Sequence, residues 1–182
     1  MKDNASGGGY RFSQVQLRRG VINRRKSMYY IEVPKKLTPV EQKMMIELER
    51  DAFSGIGAVD EQTLVPIARY GKMIWYRAEG DVRPVAVAEI MRSYENPETV
   101  YVFGYYVRSD WQGKGIGRRF LQEVIALLRE DGFSNVTLTV NVENKAAIAL
   151  YERCGFVLKE TRSNEFGVGE NRYCMMLKLK GK

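Results

Sequence analysis

Six consecutive residues, Gln112, Gly113, Lys114, Gly115, Ile116 and Gly117, have the makings of a phosphate-holding backbone. Glycine admits positive φ and lets the chain approach a ligand closely, and the first amides of a helix are unpaired and carry partial positive charge. Together these features bind pyrophosphate. Lys114, Arg118 and Arg119 add cations in the same turn. Spacing separates the kinds of phosphate loop. A P-loop needs Gly-Lys-Ser/Thr four residues after its first glycine, and the chain has no such order; a Gly-x-Gly-x-x-Gly fingerprint fails at Arg118. A second chemical pair follows about thirty residues on. Asn144 and Tyr151 stand seven residues apart, two helical turns, so an amide and a phenol project from one helix face. The plain structural role for such a tyrosine is an amphipathic plug between helix and sheet.

The elements that must hold these groups are legible on either side of them. Residues 99–107 (TVYVFGYYV) are β-branched and aromatic, as a half-buried strand should be. Ile116, Phe120, Leu121, Val124, Ile125, Leu127 and Leu128 recur at helical spacing among charged residues. The glycines thus sit at a strand-to-helix junction. A short strand over 136–140 precedes a second helix, with Asn144 as N-cap, Ala146 and Ala147 as helix formers and Gly155 as the left-handed stop before Phe156. Upstream, a strand is predicted over 28–33. Thr38, Pro39 and Glu41 form a capping box opening a helix to about Phe53, with Met44, Met45, Leu48 and Phe53 as its apolar side. A loop at 54–57, a helix over 60–70 and strands over 72–78 and 85–93 follow. Two further strands are expected near 157–162 and 172–179, joined by a glycine-containing hairpin around 165–170.

The Gln112–Gly117 segment resembles the Gln/Arg-x-x-Gly-x-Gly/Ala signature of the GNAT superfamily of N-acetyltransferases, and residues 141–156 (NVENKAAIALYERCGF) resemble that family's second motif. The resemblance covers roughly residues 29–180. It implies an α/β fold, a mixed parallel and antiparallel sheet of about seven strands with four main helices in three layers. It also implies an N-acetyltransferase that moves an acetyl group from acetyl-CoA directly to a primary amine, with no covalent enzyme intermediate. In that reading the amides of Gln112, Gly113, Lys114, Gly115, Ile116, Gly117 and Arg118 hold the pyrophosphate. Asn144 contacts the cofactor, and Tyr151 donates a proton to the departing thiolate. A backbone N–H at a bulge in the fourth strand faces the thioester; this maps onto Tyr105, Tyr106 and Val107, with Gly104 as the expected bulge residue.

Direct transfer demands amine deprotonation, stabilisation of charge on the carbonyl oxygen, and thiolate protonation. A phenol of reference pKa near 10 is protonated at neutral pH and suits the last. The base is where the chain departs from the family pattern: some members carry a glutamate where this chain has Tyr101. Two candidates stand nearby. Glu98 precedes the strand, and Glu89 interrupts the otherwise apolar run 85–91 (VAVAEIM), where a carboxylate is either paired with an arginine or raised in pKa. A water chain with no direct base is a third possibility within the family.

Composition sets the remaining limits. With 182 residues, 45% of them hydrophobic, the chain can fill one substantial core. Two cysteines are too few for a disulfide scaffold, Cys154 reads as a buried free thiol, and a reduced, cytoplasmic setting is expected. There is no histidine, and no Cys/Asp/Glu cluster has ligand spacing; no metal is expected, and Ser-His and Cys-His mechanisms are excluded. No apolar run reaches the roughly 18 residues of a membrane span. The net charge of +7 lies almost wholly in residues 1–27, where seven basic residues face the single acid Asp3. Those residues read as a basic, flexible extension ahead of one domain at 28–182. Nucleic acid is not an expected partner except through that tail, and the alternative function is a non-catalytic acyl-CoA-binding or RNA- or ribosome-associated module that uses it. The acceptor stays open among small molecules, peptide N-termini and lysine, and the chain is expected to act as a monomer or homodimer.

Overall fold

The computed structural model describes residues 28–53 and 59–179, in which seven strands form one sheet. In chain order they are β1 (Tyr29–Glu32), β2 (Lys72–Ala78), β3 (Ala86–Arg92), β4 (Thr99–Val107), β5 (Asn135–Asn141), β6 (Val157–Arg162) and β7 (Arg172–Lys178). The spatial order is β1-β2-β3-β4-β5-β7-β6, antiparallel throughout except for the parallel β4–β5 pair. Four helices cover it: α1 (Pro39–Ala52), α2 (Glu61–Tyr70), α3 (Ile116–Glu130) and α4 (Lys145–Arg153), with a short 3-10 turn at Ser109–Trp111. The expected elements are therefore all present, with ends displaced by a residue or two. The expected basic extension at 1–27 and the loop at 54–57 lie outside the described residues.

Alternation along the strands builds three layers. On β2, Ile74 and Tyr76 join the core beneath α3 and α4, while Met73 and Trp75 join the core beneath α1 and α2. The first core is filled by Phe120, Leu121, Val124 and Leu128 of α3, the second by Met45 and Leu48 of α1 and Leu64 of α2. Local chemistry fixes where α1 and α2 begin. Both halves of the Thr38–Glu41 capping box are made, with Pro39 at the first helical position, and Asp60 caps α2 through Thr63 N at 3.0 Å.

The functional consequence comes from one irregularity. Glu89 pairs across from Gly104 but the next residue, Ile90, pairs with Val102, leaving Phe103 as the extra residue. The bulge thus falls one position before the expected Gly104. It reverses the facing of everything after it. Val100 and Val102 lie on the α3/α4 side, and beyond the bulge Tyr105 and Val107 do so too, while Tyr106 turns to the α1/α2 side. Pairing of β4 with β5 runs only from Thr99–Asn135 to Val102–Leu138. Past the bulge the two strands part.

Candidate active site

Where β4 and β5 part, a cleft of about 990 Å³ opens. Its wall is unusual in drawing on both helix layers. From the α1/α2 side come Glu49, Phe53, Val59 and Glu89; from α4 come Asn144, Ala147 and Tyr151; Phe166, Glu170 and Arg172 of the β6–β7 hairpin close one end. A sheet with paired strands would separate the first two groups. The gap in the ladder joins them.

The glycine loop lies at the start of α3, as its spacing predicts. Gly113 and Gly115 have φ of 72° and 76°, and Gly115 occupies the N-cap with no side-chain hydrogen bond, so the first amides of α3 face outward without a cap. A Cβ at Gly117 would meet only ordinary contacts, Val107 Cγ2 at 3.5 Å and Leu150 Cδ2 at 3.7 Å. Several loop side chains hold the loop itself. Gln112 Nε2 donates to the Val107 carbonyl at 2.9 Å, and Lys114 Nζ donates to Asp110 O at 2.8 Å with its charge 5.0 Å from the Trp111 ring. Arg118 is exposed on the first turn, and Arg119 lies over the Tyr29 ring at 5.5 Å.

Behind the loop sits a brace that the sequence reading missed. Arg108, 6% exposed, reaches Asp81 in the β2–β3 turn at 2.6 Å and Asp110 at 2.6 Å. Its donors hold both aspartates below the usual carboxylate range, and the aspartates push the guanidinium further up. The loop is therefore tied to the sheet by charge-assisted hydrogen bonds. The paired signs of Asp81, Arg108 and Asp110 were visible in the sequence, but nothing there brought a residue 27 positions away into contact.

Tyr151 is buried and lines the cleft, edge-on to Tyr105 at 6.4 Å and tilted against Phe156 at 5.7 Å. Burial, and secondarily Tyr101, push its phenol up to about 12, so it keeps its proton across the neutral range. Asn144 Oδ1 accepts from Ala147 N at 3.1 Å, capping α4 while the residue lines the cleft. Tyr105 stacks on Phe120 at 5.5 Å and donates to the Gly117 carbonyl, locking β4 to the glycine loop. Tyr105 and Tyr106 do not wall one slot together, because successive strand residues face opposite ways; Tyr106 packs against Phe53. Tyr101, at the position where some relatives carry glutamate, shares a 2.7 Å hydrogen bond with Thr139 across the parting strands.

The two expected base candidates separate cleanly. Glu98 accepts from Ser134 Oγ at 2.9 Å and is exposed. It lies before β4 at the end where β4 and β5 are still paired, about five residues or roughly 17 Å from the bulge. It is absent from the cleft wall. Glu89 lies at the cleft and is 1% exposed. No arginine pairs with it among the described residues, and neither oxygen has a hydrogen-bond partner. Glu49 of α1, also 1% exposed, lines the same cleft. Burial first, and the charge of Glu49 second, raise Glu89; burial raises Glu49 despite the lowering effects of Tyr106 and the Val59 backbone. Glu49 was missed by the sequence reading. Its signal was present: Met45, Glu49 and Ala52 fall on one helical stripe, so a carboxylate sits within the apolar face. Glu165 and Glu170, the hairpin acids, are paired with Arg162 and Arg172, each at 3.0 Å. Cys154 is half-buried rather than buried, and both it and Cys174 are free. No helix among the described residues is long and apolar enough to cross a membrane.

This fold and site are those of an acetyltransferase-type protein. Residues 27–156 match the Acetyltransferase (GNAT) family, and the chain belongs to that family. It is 37% identical over 71 residues to the [Ribosomal protein bS18]-alanine N-acetyltransferase of Escherichia coli K12, covering 39% of this chain and 48% of that protein. With the mycothiol acetyltransferase of Streptomyces coelicolor it shares 44% identity over 62 residues, 34% of this chain and 19% of that protein. The matches thus span less than half the length of these curated relatives. A crystal structure of the ribosomal-protein-S18-alanine N-acetyltransferase from E. coli superimposes with a TM-score of 0.66 over 85% of this chain and 97% of that one, at 23% identity. A Bacillus subtilis acetyltransferase in complex with CoA gives 0.67 over 82% and 98%, at 16% identity.

Proposed function

We propose that this chain transfers an acetyl group from acetyl-CoA to a primary amine by direct attack. The observation that carries the reading is the cleft through the sheet, which gives buried carboxylates on one layer and a protonated tyrosine on the other a shared space. When bound, acetyl-CoA supplies the acyl group as a thioester. The uncapped amides of α3 and the positive-φ glycines fit its pyrophosphate, and β4 from Phe103 to Val107, unpaired on its β5 side, fits its extended arm.

Three tasks then fall to the chain's own residues. Glu89, raised and at the cleft, takes a proton from the incoming ammonium. Backbone N–H groups beyond the bulge, within Tyr105, Tyr106 and Val107, meet the charge that develops on the carbonyl oxygen. Tyr151 holds its phenolic proton through neutral pH and gives it to the leaving sulfur. Asn144 positions Tyr151 by starting α4 at a fixed place. The names of the E. coli relative and its structure, which specify an alanine acceptor on a ribosomal protein, support an α-amine among the open acceptor classes. The two free thiols support a reduced, cytoplasmic setting.

Thiol release from acetyl-CoA in the presence of a short peptide tests this. A free N-terminus should give turnover and the N-blocked peptide none, and Tyr151→Phe should lower kcat by roughly 10²–10⁴ with acetyl-CoA affinity nearly unchanged. Wild-type turnover in that variant would remove the tyrosine from its role.

A further inference from the structure

Two acids from different elements, Glu49 on α1 and Glu89 on β3, line the same cleft, and among the described residues no cation pairs with either. Each is 1% exposed, and Glu49 Oε1 and both oxygens of Glu89 lack a hydrogen-bond partner among the described residues. The Tyr106 hydroxyl beside them is likewise unpartnered by a bond of good geometry, although it acts on Glu49 as a polar neighbour. Among the described residues, no element packed around the pair supplies a counter-charge. From β2 come Met73 and Trp75, from α2 Leu64 and Ala68, and from β4 Gly104 and Tyr106. The other titratable groups on the cleft wall are Tyr101, Tyr105, Tyr151, Glu143, Glu170 and Arg172, and Arg172 is spent on Glu170. Residues 54–58, which follow α1 in the chain, are Ser, Gly, Ile, Gly and Ala, without a charge among them.

The backbone opposite the pair is shaped to admit it. A Cβ at Gly104 would lie 2.5 Å from Glu89 Oε2. Gly104 does not have positive φ, so the glycine serves the carboxylate and not the chain path. A fold that keeps two carboxylates without a cationic partner among the described residues in an apolar layer, and omits a side chain to make room for one of them, holds an arrangement that costs stability. Such groups are expected where a ligand completes them.

We infer that Glu49 and Glu89 act as a single-proton carboxylate dyad that receives the acceptor's ammonium group, making the acceptor a primary amine whose immediate neighbourhood carries no second charge of negative sign. This deepens the proposed function and rests on it. Two carboxylates this deeply buried on one cleft wall are disfavoured from ionising together, so one keeps its proton and the pair carries one negative charge. A monocationic ammonium entering beside it makes a neutral set. The proton step then balances: one N–H bond of the ammonium breaks, an O–H bond forms on the charged carboxylate, and a neutral amine stands beside two neutral acids. A carboxylate attached next to the amine would bring a second negative charge into the same uncompensated space and is excluded. Phe53 and Val59 on the adjoining wall favour an apolar group beyond the nitrogen.

The dyad can be tested without turnover, by following glutamate side-chain carboxyl resonances against pH in the wild type, Glu49→Gln and Glu89→Gln. The wild type should show one coupled pair whose second proton leaves far later than that of any other glutamate. In Glu49→Gln the Glu89 midpoint should fall by roughly one pH unit or more, since the second cause of its elevation is gone. Phenylalaninamide, an ammonium probe, should lower the pair's upper midpoint in the wild type; its hydroxyl isostere phenyllactamide and the carboxylate-bearing phenylalanine should leave it in place. An unmoved Glu89 midpoint in Glu49→Gln would overturn the dyad, as would a lowering by phenyllactamide equal to that by phenylalaninamide. The wild-type titration stands even where a variant fails to fold. Acetyl-CoA binding, measured on the same samples, separates the two proposals: its loss in the wild type sinks the transferase reading, whereas its retention with independent carboxyls sinks the dyad alone.

Discussion

Replacing Gly104 by alanine adds one methyl group at the point where the sheet accommodates Glu89. That methyl carbon would lie 2.5 Å from Oε2, 3.1 Å from Cδ and 3.5 Å from Cβ of Glu89. The first of these is well inside van der Waals contact, so the Glu89 carboxylate must leave its place on the cleft wall or the strand must give. Overpacking of this kind costs about 1–3 kcal/mol. Against it stands the gain of about 0.4–1 kcal/mol that Gly→Ala brings by restricting the unfolded chain, which applies because φ at Gly104 is not in the left-handed region. The overpacking cost offsets or exceeds that gain, leaving a net loss of up to about 2.5 kcal/mol. For a chain of this size that is a fall of up to roughly 10 °C in Tm, readable by calorimetry or circular dichroism. The cause is specific to one neighbour, so Gly104→Ala combined with Glu89→Ala should be less damaged than the sum of the single variants, with a coupling of about 0.5–3 kcal/mol. A Gly104→Ala protein more stable than the wild type, or an additive double variant, would refute the reasoning.

Other consequences follow from the same geometry. Glu49 and Glu89 have folded-state pKa values raised above the ordinary carboxylate value, so their contribution is fully present below that value and is lost as pH rises toward the folded values. Asp81 and Asp110 are lowered by Arg108, and their contribution is lost as pH falls below the ordinary range. Tm should therefore peak near pH 5 and decline toward pH 8, and Glu89→Gln should flatten the alkaline decline; a Tm that climbs steadily from pH 5 to 8 contradicts these assignments. Arg108→Ala strands two acids and the Arg83 and Pro84 carbonyls, for a loss of about 2–3 kcal/mol and a weakened acetyl-CoA affinity, both measurable by melts and calorimetry. Because Tyr151 sits near 12, the alkaline limb of a kcat/KM profile below pH 10 should be the same in wild type and Tyr151→Phe.

The frame of the site was legible because each part rests on local chemistry. Thr38, Asp60 and Asn144 announce helix starts, Gly113 and Gly115 announce the loop, and the apolar spacing of 116–128 announces α3. The residues that escaped notice are those whose meaning depends on long-range placement. Glu49 lies 40 residues before Glu89 in the chain, and only the packing of α1 on β3 and β4 turns a charged residue on an apolar stripe into half of a pair. Arg108 needs the β2–β3 turn to supply Asp81. The bulge was expected at Gly104 because glycine commonly marks such points, yet the extra residue is Phe103, and Gly104 answers instead to the bulk of Glu89. Glu98 drew attention by its place at a strand mouth; the mouth in question is the one where β4 and β5 are joined, away from the opening.

The central claim is that the glycine loop and the opening between β4 and β5 hold acetyl-CoA. Calorimetric titration of acetyl-CoA into the wild type, Gly117→Ala and Gly117→Asp tests it most directly. A Cβ at position 117 makes only ordinary contacts, so the alanine variant should bind like the wild type, in the micromolar range, while the aspartate's negative charge at the start of α3 should abolish binding. No heat of binding in the wild type, or equal affinity in the aspartate variant, would contradict the account.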